Sequence, residues 1–363
     1  MLSREDNALL TRVGPGTAMG ALFRRHWLPF MLADELVLES APQRVRLLGE
    51  SLVAFRDNRG RPGLLDENCP HRRASLCLGR NEAGGLRCAY HGWKFDVSGR
   101  CLEMPSEPAG SAFRDKVRAK AYPVTERAGL LWAYLGPAEK RAELPELEWL
   151  GLPAAQRNAS RRVYECNYAQ ALEGEIDESR FGLAGADDPA PRYTVHEAPY
   201  GLACGVRRSV QGEQHLWRIS LFLMPCFTLV PPADDPDSRL FRAWVPEDDE
   251  RTSVLSVNWR TDGPASARQR ELWQRADAAH LGLAVSAGAV ADRTREHLGT
   301  SDKAVVALRQ RLLGAARRLA EGLEPQTPYD PDCYRVRAHA GRVPRDERDF
   351  PEQEEIRRAM LAP

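Results

Sequence analysis

The chain has 363 residues, enough for about two domains of ordinary size, and 43% of them are hydrophobic, as a globular core requires. Its 51 basic and 51 acidic residues cancel, so we expect neither a nucleic acid nor an anionic membrane as a partner. The start, MLSREDNALL, lacks the apolar core of a signal peptide, and no run of about 18 apolar residues follows. Together with eight scattered cysteines, these features predict a cytoplasmic protein that does not span a membrane.

The first part of the chain predicts an arm followed by a small all-β domain. Residues 1–37 form the predicted arm, which we expect to pack on the second domain, with a short helix at Met19–His26. Short apolar runs bounded by turn residues then predict strands. The strands are predicted at 44–49, 52–57 and 130–136, with turns at Glu50–Ser51 and Asn58–Gly60. We place this domain at residues 38–146.

Residues 147–363 predict a second domain. The charged, proline-rich stretch 138–160 predicts a linker and loops, and residues 166–184 predict a helix. Five apolar runs predict antiparallel strands at 193–199, 202–210, 215–225, 239–246 and 252–260. Two amphipathic stretches near the end predict helices at 267–280 and 302–323. An antiparallel sheet covered by helices is an α+β domain.

The chemistry of the first domain is concentrated between Cys69 and His91. Cys69 and His71 form a C-x-H pair, and after sixteen intervening residues Cys88 and His91 form a C-x-x-H pair. Two cysteines and two histidines in two short clusters suit a Rieske [2Fe–2S] centre, in which the cysteines hold one iron and the histidines the other. The neutral imidazoles raise the reduction potential above that of an all-cysteine cluster.

A structural zinc site is the alternative for these four residues. Zinc also accepts two cysteines and two histidines. Zinc fingers, however, usually place the two cysteines in one pair and the two histidines in the other, whereas here each pair mixes the two residue types. The mixed pairs favour the iron–sulfur cluster.

Long stretches of the chain resemble the oxygenase component of the phthalate-dioxygenase-like Rieske non-haem iron oxygenases. The similar stretches include GLRCAYHGWKFDVSGRCLEMPSEP, CNYAQALEGEIDESR and DRTREHLGTSDKAV, and the resemblance extends from residue 14 to about 320. It implies an all-β Rieske domain joined to a helix-grip catalytic domain, assembled head to tail in trimers or hexamers. It also implies a reductase with flavin and [2Fe–2S] groups as the electron donor.

The same resemblance exposes a departure at the second metal. The family holds a mononuclear iron with two histidines and one carboxylate, and its helix reads N-x-x-Q-x-x-E-G-x-x-D-x-x-H-x4-H. The matching residues are Asn167, Gln170, Glu173, Gly174 and Asp177. The two histidine positions are occupied by Arg180 and Gly185, and the carboxylate position aligns with Gly282. We therefore expect this chain to lack the mononuclear iron.

The histidine inventory points the same way. The chain has eight histidines, at positions 26, 71, 91, 196, 215, 280, 297 and 339. Outside the Rieske motif no two of them lie closer than His280 and His297, so a second site would need residues from distant segments. Asp277 and His280, beside the lost carboxylate position, are the nearest substitutes. His196 and His215 are expected to lie on strands and face polar groups.

Arg180 and Asp177 carry two further hypotheses. A guanidinium cannot ligate iron, and Arg180 follows Asp177 by three residues, which places both on one helical face. We expect Arg180 to pair with Asp177 or Glu173 and to replace the charge of the metal, unless it points to solvent. In the family the residue at Asp177 bridges a neighbouring subunit's Rieske histidine to the iron-ligand histidine, and here it either keeps that role or only supports the interface.

Three functions remain open at this point. The favoured one is a non-catalytic electron-transfer or scaffold subunit of an aromatic or small-molecule oxygenase, working with a catalytic homologue. The second is an active oxygenase with unusual iron ligands. The third is a stand-alone Rieske electron carrier or redox sensor, against which stand the more than 200 residues beyond the Rieske domain.

Overall fold

The computed structural model describes residues 1–38, 40–108, 110–180, 191–210, 213–232, 237–276 and 281–362, and only the backbone at residues 180, 274–276 and 281. The helices are α1 Arg4–Thr11, α2 Ala18–Phe23, α3 Tyr168–Ile176, α4 Ala267–Ala276, α5 Leu281–Ser286, α6 Lys303–Ala320 and α7 Glu354–Ala359. The strands of the first half are β1 Trp27–Leu32, β2 Gln43–Leu47, β3 Glu50–Arg56, β4 Pro62–Asp66, β5 Arg80–Glu82, β6 Gly85–Arg87, β7 Lys94–Phe95, β8 Cys101–Glu103, β9 Ala121–Tyr122, β10 Val124–Arg127 and β11 Leu130–Tyr134. The strands of the second half are β12 Arg157–Tyr164, β13 Arg192–Ala198, β14 Gly201–Val210, β15 Gln214–Leu223, β16 Phe227–Val230, β17 Arg239–Pro246, β18 Thr252–Trp259 and β19 His339–Pro344.

The first half of the chain folds into three small antiparallel sheets. Their strand orders are β2-β3-β4-β9, β5-β6-β7-β8 and β1-β11-β10. The turn between β2 and β3 lies at Leu48–Gly49 and not at the predicted Glu50–Ser51. Both turn residues have positive φ, as a tight hairpin turn requires. Leu48 is fully buried. A buried leucine continues the apolar pattern of the preceding strand, so the sequence predicts a strand at a position where the backbone turns.

The second half is built on one eight-stranded antiparallel sheet. Its order is β12-β18-β17-β16-β15-β14-β13, with β19 paired beside β15. The predicted strands are confirmed, but β12 was predicted to be mostly linker, and β16 and β19 were not predicted. β12 has the polar sequence RNASRRVY and, among the described strands, pairs with β18 alone. An edge strand with one accessible face does not need the apolar pattern by which strands are recognised.

The two faces of this sheet have different roles. One face packs on an aromatic cluster that links it to the first half of the chain, through Trp132, Trp149, Phe227 and Phe241. The opposite face is covered by α3 and α6 and carries buried polar groups such as Ser220 and Arg242. The polar face is where a site can form, because its buried charges need partners.

The helix α3 is shorter than the predicted 166–184. Asn167 caps its first turn by accepting a hydrogen bond from the amide of Ala169. The helix ends at Ile176 because Asp177 adopts an extended conformation and accepts a hydrogen bond from the amide of Ser179. A short 3-10 turn, Glu178–Arg180, follows, and the rest of the predicted helix lies outside the described residues.

The N-terminal arm contacts both halves of the chain. Its helices α1 and α2 pack against α6, and α1 also contacts α3. Its strand β1 pairs with β11, the last strand of the first half. The predicted helix Met19–His26 is observed as α2, which ends at Phe23.

Candidate functional site

Two tight loops present the Cys-His pairs of the first half. In the first loop, the amide of Cys69 donates to the carbonyl of Ala74 at 2.9 Å, and the amide of Arg73 donates to the carbonyl of Cys69 at 3.0 Å. In the second loop, the amide of Cys88 donates to the carbonyl of Trp93 at 2.8 Å. These closures hold each pair at the end of a loop between short strands.

The four side chains of the two loops converge. The rings of His71 and His91 have their centroids 4.6 Å apart. Cys69 and Cys88 are both buried and are close enough to interact electrostatically. Burial, together with the neighbouring Cys88 thiol, raises the pKa of Cys69 to about 11. A bound metal would displace this proton, because the thiolate is the ligand.

The donor set fits a two-iron cluster. His71 Nδ1 is buried and has no hydrogen-bond partner in the described part of the chain. Between 1 and 362, within the described ranges, no three His, Cys, Asp or Glu side chains are placed to hold a single metal ion. A Rieske cluster takes two cysteines on one iron and two histidines on the other, which is the donor set of the two loops.

Trp93 supports the first histidine and was not singled out from the sequence. Its ring stacks on the ring of His71 at 4.2 Å between centroids and 7° between planes. Stacking of this kind fixes the orientation of an imidazole ring. The G-W that follows His91 was the only sequence signal for it.

The C-terminal end of α3 meets the polar face of the large sheet through two buried ion pairs. Glu175 pairs with Arg242 of β17, and Glu178 pairs with Arg218 of β15 at 3.0 Å. Glu178 also accepts a hydrogen bond from the Ser220 hydroxyl. Each carboxylate is almost completely buried and is neutralised by an arginine of the sheet. Sequence analysis missed these pairs because their partners lie at least forty residues apart.

A third buried network fixes the other face of α3. Glu173 accepts hydrogen bonds from Arg293 at 3.0 Å and from Arg309 at 2.8 Å. Arg309 also pairs with Glu296. The network joins α3 to α6 and to the loop that carries DRTREHLG. Arg293 and Arg309 are therefore observed partners of Glu173, whereas the pairing of Arg180 with Glu173 was only a prediction.

The structure describes the three positions of the family's iron ligands to different extents. Gly282 lies on α5 and is exposed, and among the described residues no atom outside the backbone of α5 and its flanking residues lies within 4 Å of where a Cβ would stand. Of Arg180 only the backbone is described, so its pairing stays a prediction. Gly185, Asp277 and His280 lie outside the described residues. Asp177 is half-buried at the end of α3.

The described histidines outside the two loops do not meet. His196 lies on β13 and contacts Asp349 at 2.9 Å, and His215 lies on β15 near Glu347. The strand register puts His196 level with Leu221 of β15, and the six residues from there to His215 span about 20 Å. The other three are His26, buried with its pKa lowered to about 4 by desolvation, the exposed His297, and His339 on β19.

The ion pair between Glu175 and Arg242 gives a stability prediction. Replacing Arg242 by Met removes the arginine that pairs with the buried Glu175 carboxylate, which should lower the free energy of unfolding by about 3–5 kcal/mol. Arg358→Met is the control, because Arg358 and its partner Glu354 are both largely exposed and such pairs contribute about 0–1 kcal/mol. Denaturant unfolding followed by circular dichroism measures both. Equal effects of the two substitutions would contradict the expected role of the buried pair.

Comparisons with known proteins agree with this arrangement. Residues 26–123 match the Rieske [2Fe-2S] domain family, and residues 276–357 match a family described as LigXa C-terminal domain like. The phthalate 4,5-dioxygenase oxygenase subunit of Pseudomonas putida is 34% identical over 89% of this chain and 88% of its own length. The 3-chlorobenzoate-3,4-dioxygenase oxygenase subunit of Comamonas testosteroni is 41% identical over 71% of this chain, which spans 64% of that relative.

Solved structures share the fold. Dicamba monooxygenase bound to dicamba superimposes with a TM-score of 0.66 over 83% of this chain and 99% of that chain, at 20% identity. The terminal oxygenase of carbazole 1,9a-dioxygenase from Novosphingobium sp. KA1 gives a TM-score of 0.65 over 86% and 95%, also at 20% identity. The fold and the site define an iron–sulfur oxygenase component. The chain belongs to the family of Rieske oxygenase oxygenase subunits. Among its described helices, none combines the length and the apolar character that crossing a membrane requires.

Proposed function

We propose that this chain is the Rieske subunit of a multicomponent oxygenase and that it works as a non-catalytic partner of a catalytic homologue. In this proposal Cys69, His71, Cys88 and His91 hold the [2Fe–2S] cluster. The cluster accepts and passes on single electrons. His91 and the neighbouring Tyr90 lie at the exposed end of the second loop, where another subunit can approach.

The observation that carries the proposal is the composition of the three iron-ligand positions. Arg180 is a permanent cation with no lone pair to offer, and Gly185 and Gly282 have no side chain. The buried carboxylates nearby support the same conclusion. Glu175 and Glu178, at the end of α3, are neutralised by Arg242 and Arg218, so their charges do not require a metal.

The residues that remain support a role in an assembly. The Cys-His pairs and Asp177 are kept, although the iron ligands are gone. In a head-to-tail ring a subunit without its own iron can serve its neighbour's iron through its Rieske domain. Asp177, half-buried at the end of α3, would receive the Rieske histidine of the subunit on the other side.

The relatives indicate what the complex acts on and which proteins it works with. Phthalate and 3-chlorobenzoate, named for two of them, are aromatic acids, and we propose an aromatic acid as the substrate of the complex. A reductase with flavin and [2Fe–2S] groups would supply the electrons. A carbazole 1,9a-dioxygenase oxygenase of similar fold is known in complex with a ferredoxin, so a ferredoxin could stand between the two.

Oxygen uptake by the chain alone tests the proposal. With phthalate or 3-chlorobenzoate present, electrons from NADH should pass through a competent reductase and reduce the cluster of the purified chain. No hydroxylated product should form, because no centre binds and activates oxygen. A relative with both histidines and the carboxylate is the positive control. Substrate-dependent oxygen uptake with matching product, together with a third iron per chain, would instead favour an active oxygenase that uses ligands such as Asp277 and His280.

A further inference from the structure

The second ligand loop is short and tightly enclosed. Besides the bond that closes it at Trp93, the amide of Gly92 donates to the carbonyl of Cys88 at 3.1 Å. Gly92 has a φ of 73°, and a Cβ at this position would meet Pro105 at 3.2 Å and Arg87 Nη1 at 3.7 Å. The loop is therefore packed at Gly92 against Pro105 and the side chain of Arg87.

Arg87 holds this loop directly. Its Nη1 donates to the carbonyl of Gly92 at 2.6 Å, and its Nε donates to Glu82 at 2.7 Å. Its Nη2 donates to Glu103. One planar guanidinium thus joins the loop to β5 and β8, a geometry that a lysine ammonium cannot reproduce.

Lys94 adds a second buried cation to this group of charges. It is 5% exposed, and its Nζ lies 3.1 Å from Glu103 and 3.9 Å from Glu82. Glu82 also pairs with Arg80, whose side chain lies mainly in solvent. Without Arg87 the group would lose one buried positive charge immediately beside Cys88.

The first ligand loop is anchored in a different way. Glu67 accepts a hydrogen bond from the Ser75 hydroxyl at 2.7 Å and pairs with Arg44, whose side chain is 65% exposed. This contact closes the base of the loop, and its arginine lies mainly in solvent. Loss of Arg44 should therefore disturb the cluster less than loss of Arg87.

We propose that Arg87 is a positioning residue for the Cys88–His91 ligand pair. Its hydrogen bond to Gly92 fixes the loop, and its charge offsets Glu82 and Glu103 so that an electron added to the cluster is not disfavoured. The proposal rests on the Rieske cluster and not on the state of the mononuclear iron site. Its outcome is therefore independent of the oxygen-uptake test.

Three variants of the full-length chain separate the two effects of Arg87. Arg87→Gln should lower the midpoint potential, change the EPR g-values, and lose cluster to a chelator about 10-fold faster or more, as outer-shell substitutions do. Arg87→Lys should restore the potential but not the retention of the cluster. Arg80→Gln is the control, because Arg80 pairs with the same Glu82 at 2.6 Å but is 75% exposed, and all three readouts should stay as in the native chain.

A native potential, EPR spectrum and retention rate in Arg87→Gln would overturn the proposal. So would an equal change in Arg80→Gln, because the effect would then be one of general charge. If Arg87→Gln does not fold, Glu103→Gln replaces it. That substitution removes a carboxylate that is 47% exposed and should raise the midpoint potential, and an unchanged or lower potential would contradict the proposed charge balance.

Discussion

The purified chain should contain about two irons and two acid-labile sulfides, and both Cys88→Ser and His71→Ala should abolish them. The physical reason is that each iron has only two protein ligands, so the loss of one leaves an iron that the fold cannot hold. The dithionite-reduced native chain should give a rhombic EPR signal of Rieske type. Metal analysis and EPR on the same preparation provide the measurement.

Cys77→Ser is the matched control for this prediction. Cys77 lies eight residues from Cys69 and is only partly buried, and its thiol interacts with Glu67 and Arg44, not with the four converging side chains. This variant should keep both irons. A colourless native protein with one zinc per chain would refute the cluster, and loss of iron in Cys77→Ser would show that the ligand set is wrongly assigned.

In a co-expressed complex with a catalytic homologue, His71→Ala in this chain alone should remove most of the turnover while the complex still assembles. The reason is that in a head-to-tail ring the electron reaches a neighbour's iron through the Rieske domain of the adjacent subunit. Product formation per complex, with the subunit ratio determined by native mass spectrometry, gives the measurement. The absorption spectrum of the oxidised complex serves as an internal check that the catalytic homologue still contains its own iron–sulfur cluster.

Two other outcomes of that experiment lead to different conclusions. Unchanged turnover in an intact complex would mean that this chain is a scaffold, and the electron-transfer part of the proposal would be wrong. Failure to isolate any mixed complex with a co-encoded homologue would remove the partner-subunit proposal altogether. Asp177→Asn in this chain, tested beside His71→Ala, reports on the opposite interface and should impair assembly or transfer only if Asp177 contacts the neighbour.

The features that the sequence predicted correctly depend on residues close together in the chain. In each Cys-His pair the two residues lie within three positions of each other, and β14 and β15 are apolar runs between turns. The local pattern was therefore sufficient for these features. The edge strand β12 was missed because its polar sequence is typical of a linker. The turn at Leu48 was missed because its apolar sequence is typical of a strand. Arg87 was passed over because its importance depends on Glu82 and Glu103, which only the folded sheet brings together.

The pairing of β1 with β11 determines how this protein can be divided. All five residues of β11 are buried, and one of its two neighbours is the arm strand Trp27–Leu32. A fragment begun at the predicted boundary, residue 38, would expose an apolar strand edge ready to pair with another chain. Electrochemistry on an excised iron–sulfur domain therefore calls for a fragment that starts before Trp27.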